Sequence, residues 1–308
     1  MMKSFLILLM SVLLLCLSSC GIIDLEFPES EATDAITDSF ELYIRRCCYD
    51  YRGKNIRPVY DKLIQEGINV SCYYNDILVL SHDIDKYVMN KISINDYEKA
   101  VQFELLTEEE YIIAKRREDG YADSISTSKP GDLVEFGNYY ISSSETKEPI
   151  TWIVLEATES SRLIISKDII YYAAFNDTLI AEATSWKNST VRSWLNKEFI
   201  NELFSSSEKK KIIKTSITED GYSTKDYLFL LSYDEFIAYK PYLKRTAYST
   251  LFAFNNTPGY HSGVWWTRTT DDTVGSYKKA INEEGENKNS PRVNEDEGIR
   301  PALWISIK

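Results

Sequence analysis

Histidine is nearly absent from this chain of 308 residues, which has only His82 and His261. Neither lies in a zinc-protease helix motif, and no serine lies in the Gly-x-Ser-x-Gly turn of the α/β-hydrolases. Cysteine is also scarce: the chain has five, no two form a Cys-x-x-Cys pair, and residues 131–308 have none. The sequence therefore predicts no catalytic residue, no metal site and no cofactor, and it favours a non-enzymatic role.

Basic residues are outnumbered by acidic ones, 35 to 47, so the formal net charge is −12. Residues 21–130 have 13 basic and 22 acidic side chains, and residues 131–308 have 21 and 25. Proteins that bind nucleic acid need basic patches to displace counterions from phosphates, so nucleic acid is excluded as a partner. The acidic balance also disfavours electrostatic adhesion to anionic lipid.

Long apolar runs are missing after the first twenty residues. There, Lys3 precedes thirteen almost unbroken apolar residues, 5–17. This run is shorter than the ~20 residues that a helix needs to cross a bilayer. It predicts the hydrophobic region of a secretory signal peptide, residues 1–19.

The signal region ends in Leu17-Ser18-Ser19-Cys20, which resembles the lipobox of bacterial lipoproteins. The resemblance implies cleavage before Cys20, attachment of acyl chains such as palmitate to its thiol, and a membrane as partner through this lipid. More than one chain is needed for stable anchoring. The expected location is the cell envelope, at the outer membrane or outer cell surface. An ordinary signal peptide with a chance cysteine and an uncleaved short anchor are the alternatives.

Three further cysteines follow the signal: Cys47, Cys48 and Cys72. Disulfides form in exported proteins, so Cys72 is able to pair with Cys47 or Cys48 and leave one thiol free. Alternatively, all three are buried thiols that pack as small apolar groups. The sequence leaves both possibilities open.

The mature chain is predicted to have a tether at residues 20–32, a small α+β unit at 33–120 and a larger domain at 131–308. A stretch rich in Ser, Gly and Asp, 119–130, separates the two globular parts. In the first part the patterns predict helices at 33–51 and 58–66, a β-hairpin at 68–81 with Asn75-Asp76 as its turn, and a charged helix at 95–117 that contains a capping box at Thr107 and Glu110.

The larger domain mixes strand and helix signals without the regular alternation of a wound α/β fold, so the α+β class is predicted. Expected strands are a pair within 131–141, the runs 150–157 and 162–166, a buried strand at 227–231, and short runs at 264–267 and 299–307. Expected helices are 190–204 and two that begin with capping boxes at Ser205 and Ser232.

Several short motifs of this domain occur in a recognisable order. They are Phe136-Gly137-Asn138-Tyr139, Thr151-Trp152-Ile153-Val154-Leu155, Val191-Arg192-Ser193-Trp194-Leu195-Asn196, Ser232-Tyr233-Asp234-Glu235, Trp265-Trp266-Thr267-Arg268 and Gly298-Ile299-Arg300-Pro301-Ala302-Leu303-Trp304. Together they resemble the bacterial domain of unknown function numbered 6273. The closing Trp-Arg and Gly-x-Arg-Pro patterns are similar to C-type-lectin-like domains, which implies short strands, a few helices and long loops.

Four residues form the predicted ligand site: His261, Trp265, Trp266 and Arg268. His261 lies in a polar loop before the two tryptophans, which alternate along a presumed strand, so that one side chain packs in the core and its neighbour is exposed. An exposed tryptophan suits stacking on a sugar or capping a peptide. The alternative is that both are core residues and that Arg268 pairs with an internal carboxylate. Arg300 is expected to be buried and to tie loops together.

These observations predict a membrane-anchored envelope lipoprotein that acts as a non-enzymatic binding module. Its ligand would be carbohydrate, peptide or another envelope protein. Two alternatives are kept: a cell-envelope glycan or cell-wall hydrolase, which needs a pair of carboxylates across a cleft, and a structural or assembly lipoprotein in which the first part of the chain makes the contacts.

Overall fold

The structure, a computed structural model, describes residues 40–179, 185–243, 247–257, 263–271, 276–282, 284–288 and 291–308. Helices mix with several small sheets in these ranges, which confirms the α+β class. The predicted signal peptide, Cys20 and the tether lie outside the described residues. None of the helices in the described ranges combines the length and the apolar character needed to cross a bilayer. The chain divides into a first unit, Met1–Leu106, and a second unit, Thr107–Lys308.

Helices and a four-stranded sheet form the described part of the first unit. The elements are α1 (Phe40–Cys48), α2 (Arg57–Gln65), β1 (Asn69–Tyr74), β2 (Ile77–Leu78), a 3-10 turn (Ile84–Lys86), β3 (Val88–Asn95) and β4 (Ala100–Leu106). The strand order is β2-β1-β4-β3, and β1 runs parallel to β4. The core lies on one face of this sheet, where Ile44 of α1 and Leu63 of α2 are buried in one cluster with Phe103 of β4.

A tight turn joins β1 to β2, as the sequence predicted. Asn75 and Asp76 have φ angles of 49° and 62°, the left-handed conformation that a two-residue type I′ turn requires at both central positions. Asparagine and aspartate tolerate this conformation better than other non-glycine residues. The predicted hairpin is therefore confirmed, and so is the predicted helix at 58–66, which is α2.

The predicted helix at 95–117 is wrong over its first half, where β4 forms instead. Val101, Phe103 and Leu105 are buried while Gln102 and Glu104 between them are exposed, which is the period of a strand with one covered face. The second half is helical as α3 (Glu108–Glu118). The predicted capping box is confirmed, since Thr107 accepts from the Glu110 amide and Glu110 accepts from the Thr107 amide. Helix α3 groups with the second unit.

Cys47, Cys48 and Cys72 are free thiols, so the structure has no disulfide among these described cysteines. Cys48 and Cys72 are buried in the core of the first unit, as the alternative of three buried thiols predicted, whereas Cys47 is only half-buried. Burial disfavours the thiolate and raises the pKa of Cys48 to about 12 and that of Cys72 to about 11.

The second unit contains two five-stranded sheets and a separate hairpin. The strands are β5 (Leu133–Tyr140), β6 (Lys147–Ala157), β7 (Ser161–Ser166), β8 (Tyr171–Ala174), β9 (Ile212–Ile213), β10 (Thr215–Glu219), β11 (Tyr222–Asp226), β12 (Trp265–Thr270), β13 (Lys278–Ile281), β14 (Asn287–Lys288), β15 (Asp296–Ile299) and β16 (Ala302–Ser306). One sheet has the order β5-β6-β7-β16-β9 and the other the order β14-β13-β12-β15-β8, while β10 and β11 form the hairpin. The predicted strands at 150–157 and 162–166 are confirmed as β6 and β7.

The expected strand pair around Gly137 is a single bulged strand, β5. Its pairing with β6 shifts register between Glu135 and Asn138. Gly137 has a φ of +70°, and a Cβ there would lie 2.5 Å from Cε1 of Phe204. Only glycine fits this position, because the bulge needs a left-handed residue and Phe204 occupies the space beside it.

Short helices connect the sheets: α4 (Thr190–Trp194), α5 (Ile200–Leu203), α6 (Ser206–Lys209), α7 (Tyr233–Tyr239) and α8 (Leu251–Asn256), with a π-helical turn at Leu195–Phe199 and 3-10 turns at Trp186–Asn188 and Lys240–Tyr242. The predicted capping boxes at Ser205 and Ser232 are confirmed. The predicted strand at 227–231 is wrong. That segment is buried but irregular, and only Phe229 bridges to Ala302 of β16.

Candidate functional site

Three of the four residues of the predicted ligand site lie on β12, the middle strand of its sheet, between β13 and β15. The fourth, His261, lies outside the described residues. The predicted run at 264–267 is therefore correct as a strand, but β12 extends further and ends at Thr270.

Neither tryptophan is exposed. Trp265 and Trp266 have exposed fractions of 1% and 0%. Phe236 of α7 meets the Trp265 ring edge to face at a centroid distance of 5.6 Å, and Phe175 meets Trp266 in the same manner at 5.8 Å. The prediction of one exposed indole is wrong, because β12 is covered on both faces and successive side chains pack into the core on opposite sides.

Arg268 is the centre of an ion-pair network and has an exposed fraction of 4%. Its Nε donates to Oε2 of Glu219 at 3.0 Å, and its Nη1 and Nη2 donate to Oε2 and Oε1 of Glu235 at 2.5 and 2.8 Å. Nη1 also donates to the carbonyl oxygen of Leu230 at 2.7 Å. The alternative in which Arg268 pairs with an internal carboxylate is thus what the structure has, with two carboxylates instead of one.

Glu235 has a second function in the same place. It is the third residue of α7, and its Oε2 accepts from the backbone amide of Ser232, while the Ser232 hydroxyl accepts from the Glu235 amide. The capping box fixes the Glu235 carboxylate at the start of α7, where the guanidinium of Arg268 reaches it. The capping box predicted from the sequence therefore also positions Glu235 for its ion pair with Arg268.

Lys278 of β13 is fully buried next to Arg268. Its Nζ donates to the carbonyl oxygen of Arg268 at 2.9 Å and to Oγ1 of Thr270 at 2.6 Å, and it lies 3.6 Å from Oδ2 of Asp220. Burial disfavours the charged ammonium and lowers the pKa of Lys278 to about 8, although Asp220 and Glu219 oppose this effect. Glu219, Asp220, Glu235, Arg268, Thr270 and Lys278 together are called the Arg268 network below.

The hairpin of β10 and β11 supplies two carboxylates of the network from its tip. Asp220 and Gly221 form the turn with φ angles of 52° and 75°. This Asp-Gly pair is a strong turn signal between strands, although no hairpin is predicted here from the sequence. Glu219 and Asp220 are brought to Arg268 and Lys278 by this turn, so the hairpin is attached to β12 and β13 through its tip.

Arg300 has the role that the sequence predicted. It is buried, and it donates to the carbonyl oxygens of Ser166 and Lys167 at distances of 3.0 and 3.1 Å. Its guanidinium carbon lies 4.7 Å from the centroid of the Trp265 ring. Burial lowers the pKa of Arg300 to about 10. The residue ties β7 to the segment between β15 and β16.

A second buried charge, Asp226, closes the base of the hairpin. Its Oδ2 accepts from Nε1 of Trp186 at 3.0 Å and from Oγ1 of Thr224 at 2.6 Å, and its Oδ1 accepts from Nε of Arg192 at 2.8 Å. Both ends of the hairpin are therefore held by charged hydrogen bonds, which the sequence could not reveal because the partners lie more than thirty residues apart.

The charged groups of the Arg268 network are engaged with one another. A general acid or base must reach the substrate with an available proton or lone pair, and a metal ion requires several converging ligands. In the described ranges no cluster of three or more His, Cys, Asp and Glu side chains is arranged around a metal position. The arrangement instead fixes the hairpin and α7 against β12.

Comparison with known protein families gives a match for one region of the chain. Residues 159–307 match the family model of a domain of unknown function (DUF6273). No curated protein and no solved structure matches the chain. The match covers the second unit from just before β7 to just after β16.

Proposed function

We propose that this protein is a lipid-anchored protein of the bacterial cell envelope, and that its second unit is a C-type-lectin-like module that binds a ligand without chemically changing it. The ligand is carbohydrate, peptide or another envelope protein. The anchor places the protein at the outer membrane or outer cell surface. The two parts of this proposal depend on different residues and are tested separately.

The anchor depends on Cys20. It follows a short basic start, thirteen almost unbroken apolar residues and two serines, the order that lipoprotein processing requires. Each buried methylene of an acyl chain contributes ~0.8 kcal/mol, and two or more chains give a stable attachment. Membrane association then needs neither a spanning helix nor basic residues, in agreement with the net charge of −12.

The binding role depends on one observation: the hairpin tip is fixed to β12 and β13 by the Arg268 network. Holding a surface loop in one conformation before the ligand arrives lowers the entropy that binding would otherwise cost. Rigid attachment of a turn by buried charges is thus suited to recognition. The fixed hairpin tip therefore replaces the two tryptophans as the reason to propose a ligand site in the second unit.

An exposed aromatic side chain lies next to this fixed tip. Tyr222 pairs with Glu219 across the hairpin, and 48% of its surface is exposed. Nζ of Lys187 lies 4.7 Å from the centroid of its ring. Aromatic rings on fixed backbone are effective binding groups because they bring a large contact area with few rotatable bonds. Tyr222 is accordingly the residue through which we expect the ligand to be contacted.

The two alternatives differ in their support. A hydrolase needs carboxylates that act on a substrate, and Glu219 and Glu235 already accept hydrogen bonds from Arg268, so this site gives the hydrolase no support. An assembly role is favoured by α3, which has no buried residue and leaves Ile112 and Ile113 exposed by 52% and 43%. Exposed apolar helix surface is typical of a protein contact.

The anchor is tested by metabolic labelling with an alkyne analogue of palmitate in a bacterial host. The unaltered protein should be labelled and should need detergent for extraction. Cys20→Ser should lose both properties, whereas Cys16→Ser, four residues earlier within the signal, should keep them. An unacylated mature N-terminus in mass spectrometry would refute the anchor.

Binding is tested with residues 21–308, the mature chain without its lipid-bearing Cys20, on arrays of glycans, cell-wall fragments and peptides. Tyr222→Ala should reduce binding to the preferred probe by about tenfold, the effect of losing ~1.4 kcal/mol. Tyr97→Ala is the matched control, because Tyr97 is 96% exposed and lies in the first unit. Absence of binding to every probe, or equal loss in both variants, would contradict the proposed module.

A further inference from the structure

The four-stranded sheet of the first unit has one face that is not used by the core of that unit. Side chains alternate along each strand, and the strand register places them in rows across this open face. One row contains Tyr73 of β1, Glu104 of β4 and Lys91 of β3. The next row contains Ser71, Gln102 and Ser93. The open face is therefore polar along β1, β3 and β4, with the exposed Leu78 of β2 beside Tyr73 at its edge, whereas the opposite face is apolar.

A concavity of about 320 Å³ lies on this face. Its polar lining consists of Tyr73, Asn75, Asp76, Ser93, Gln102 and Glu104. Small-molecule sites in proteins have volumes of about 300 to 1,000 Å³, so the concavity is large enough for a ligand of one or two rings. The type I′ turn at Asn75 and Asp76 forms one wall, and its backbone geometry is fixed by the hairpin.

The polar groups around the concavity are available for a ligand. The side chains of Tyr73, Asn75, Asp76, Ser93 and Gln102 make no hydrogen bond to another described residue. This contrasts with the Arg268 network of the second unit, whose charged groups are satisfied by one another. A cluster of exposed, uncommitted donors and acceptors on a regular sheet is what direct recognition of a polar molecule requires.

One member of the lining is held in place from below. Nδ2 of Asn90, which is buried, donates to Oε1 of Glu104 at 2.6 Å. The carbonyl oxygen of Asn90 in turn accepts from Nε of Arg52 at 3.3 Å. The other carboxylate oxygen of Glu104, Oε2, accepts no hydrogen bond from the described residues. Glu104 is thus an oriented acceptor with one oxygen left for a ligand.

We infer that this concavity binds a neutral, polyhydroxylated ligand, a saccharide of one or two rings. Hydroxyl groups donate to the carboxylates of Asp76 and Glu104 and exchange hydrogen bonds with the amides of Asn75 and Gln102, while the Tyr73 ring provides an apolar surface for a sugar face. The two carboxylates would repel an anionic ligand. Leu105 and Leu106 also line the concavity, but most of its lining is polar, so it offers little apolar surface to a lipid chain or a hydrophobic peptide.

The inference goes beyond the proposed function, because it assigns a site to the unit that the binding module does not use. The test titrates the mature chain with cellobiose and with chitobiose, followed by NMR chemical shifts of the backbone amides. Glucuronic acid serves as the anionic probe. Shifts of residues on β1, β3 and β4 with either neutral disaccharide, and none with glucuronic acid, are expected.

Two variants and one control make the assignment specific. Gln102→Ala and Glu104→Gln should each weaken binding by about tenfold, and the second keeps an oxygen that can accept from Asn90. Asn69→Ala is the matched control, since Asn69 is exposed on the same face but outside the concavity. Tyr222→Ala in the second unit should leave the disaccharide-induced shifts of residues on β1, β3 and β4 unchanged, which distinguishes this site from the proposed module.

Three results would overturn the inference. The first is the absence of shifts with both disaccharides up to about 10 mM, where binding weaker than millimolar is still visible. The second is binding that Gln102→Ala and Glu104→Gln do not weaken although both variants keep the wild-type spectrum. The third is a concentration-dependent dimer in sedimentation whose contact covers the open face, since a second copy of the chain would then be its occupant.

Discussion

Arg268 and Glu235 form a two-point ion pair, with Nη1 2.5 Å from Oε2 and Nη2 2.8 Å from Oε1. The pair joins the middle of β12 to the first turn of α7, and the third nitrogen of the same guanidinium reaches Glu219 on the hairpin. Three separate elements are therefore connected through one planar group. Lysine has a single nitrogen and cannot reproduce this geometry.

Arg268→Lys should lower the free energy of unfolding by about 2 to 3 kcal/mol, because two partly buried carboxylates and the carbonyl oxygen of Leu230 lose partners. Urea denaturation followed by tryptophan fluorescence measures the change. Arg117→Lys is the control, since Arg117 pairs with Asp123 at an exposed position and should show an unchanged midpoint. Equal midpoints for the two variants would contradict a structural role for Arg268.

The lowered pKa of Lys278 predicts how the stability of the protein changes with pH. Its pKa is lowered by burial from 10.5 in the unfolded chain to about 8 in the folded one. Between these values the unfolded state binds more protons, so unfolding becomes less favourable as the pH rises from 8 to 10.5, by at most ~1.4 kcal/mol per unit. Below pH 8 both states are protonated and the full cost of the buried charge is present.

The comparison with Lys278→Met isolates this effect. The stability of the unaltered protein relative to the variant should increase from pH 8 to pH 10 in paired urea titrations. The buried Tyr139 and the half-buried Tyr239, whose pKa values are raised by desolvation, act in the opposite direction, but they are present in both proteins and cancel. A relative stability that stays flat over this range would show that Lys278 titrates normally.

Alanine substitutions at Gly137 and Gly221 distinguish the cost of backbone strain in the folded protein from the cost of a steric clash. Both have left-handed φ angles, but a Cβ at Gly137 would meet Phe204 and the Leu203 carbonyl, whereas one at Gly221 would meet nothing within 4 Å. Gly221→Ala should cost about 1 kcal/mol and Gly137→Ala about 3 kcal/mol or more. Thermal unfolding gives both values, and equal costs would mean that Phe204 moves freely aside.

Thiol reactivity checks the core of the first unit. In residues 21–308, which lack Cys16 and Cys20, one cysteine should react quickly with a thiol reagent in the folded protein, namely the half-buried Cys47. Cys48 and Cys72 should react only on unfolding, because burial and raised pKa values suppress the thiolate. A protein with fewer than three titratable thiols after denaturation would instead have formed a disulfide.

Features set by neighbouring residues were predictable from the sequence. The turn at Asn75 and Asp76 and the capping boxes at Thr107, Ser205 and Ser232 each depend on side chains within four positions, and all four are present. Strand β4 was missed although Val101, Phe103 and Leu105 alternate with polar residues, since charged residues on both sides suggested one long helix. The Asp-Gly signal of the second hairpin was also present and not used.

Features set by tertiary packing were not predictable in this way. The sequence shows that Trp265 and Trp266 alternate along a strand, but it does not show that β12 lies in the middle of a covered sheet. The partners of Arg268 are 33 and 49 residues away, and nothing local to Arg268 identifies them. The concavity of the first unit depends on the parallel pairing of β1 with β4, which brings Tyr73 beside Glu104.

The position of strand β16 determines when the second unit is able to complete its folding. It lies between β7 and β9, and Trp304 pairs with Leu163 of a strand that the ribosome synthesises some 140 residues earlier. Pairings across such distances form slowly, because a long loop must close before any contact compensates for it. Until Ala302–Ser306 has been synthesised, β7 keeps an unpaired edge and the aromatic core stays open. Folding of the second unit is therefore completed only after this strand is available.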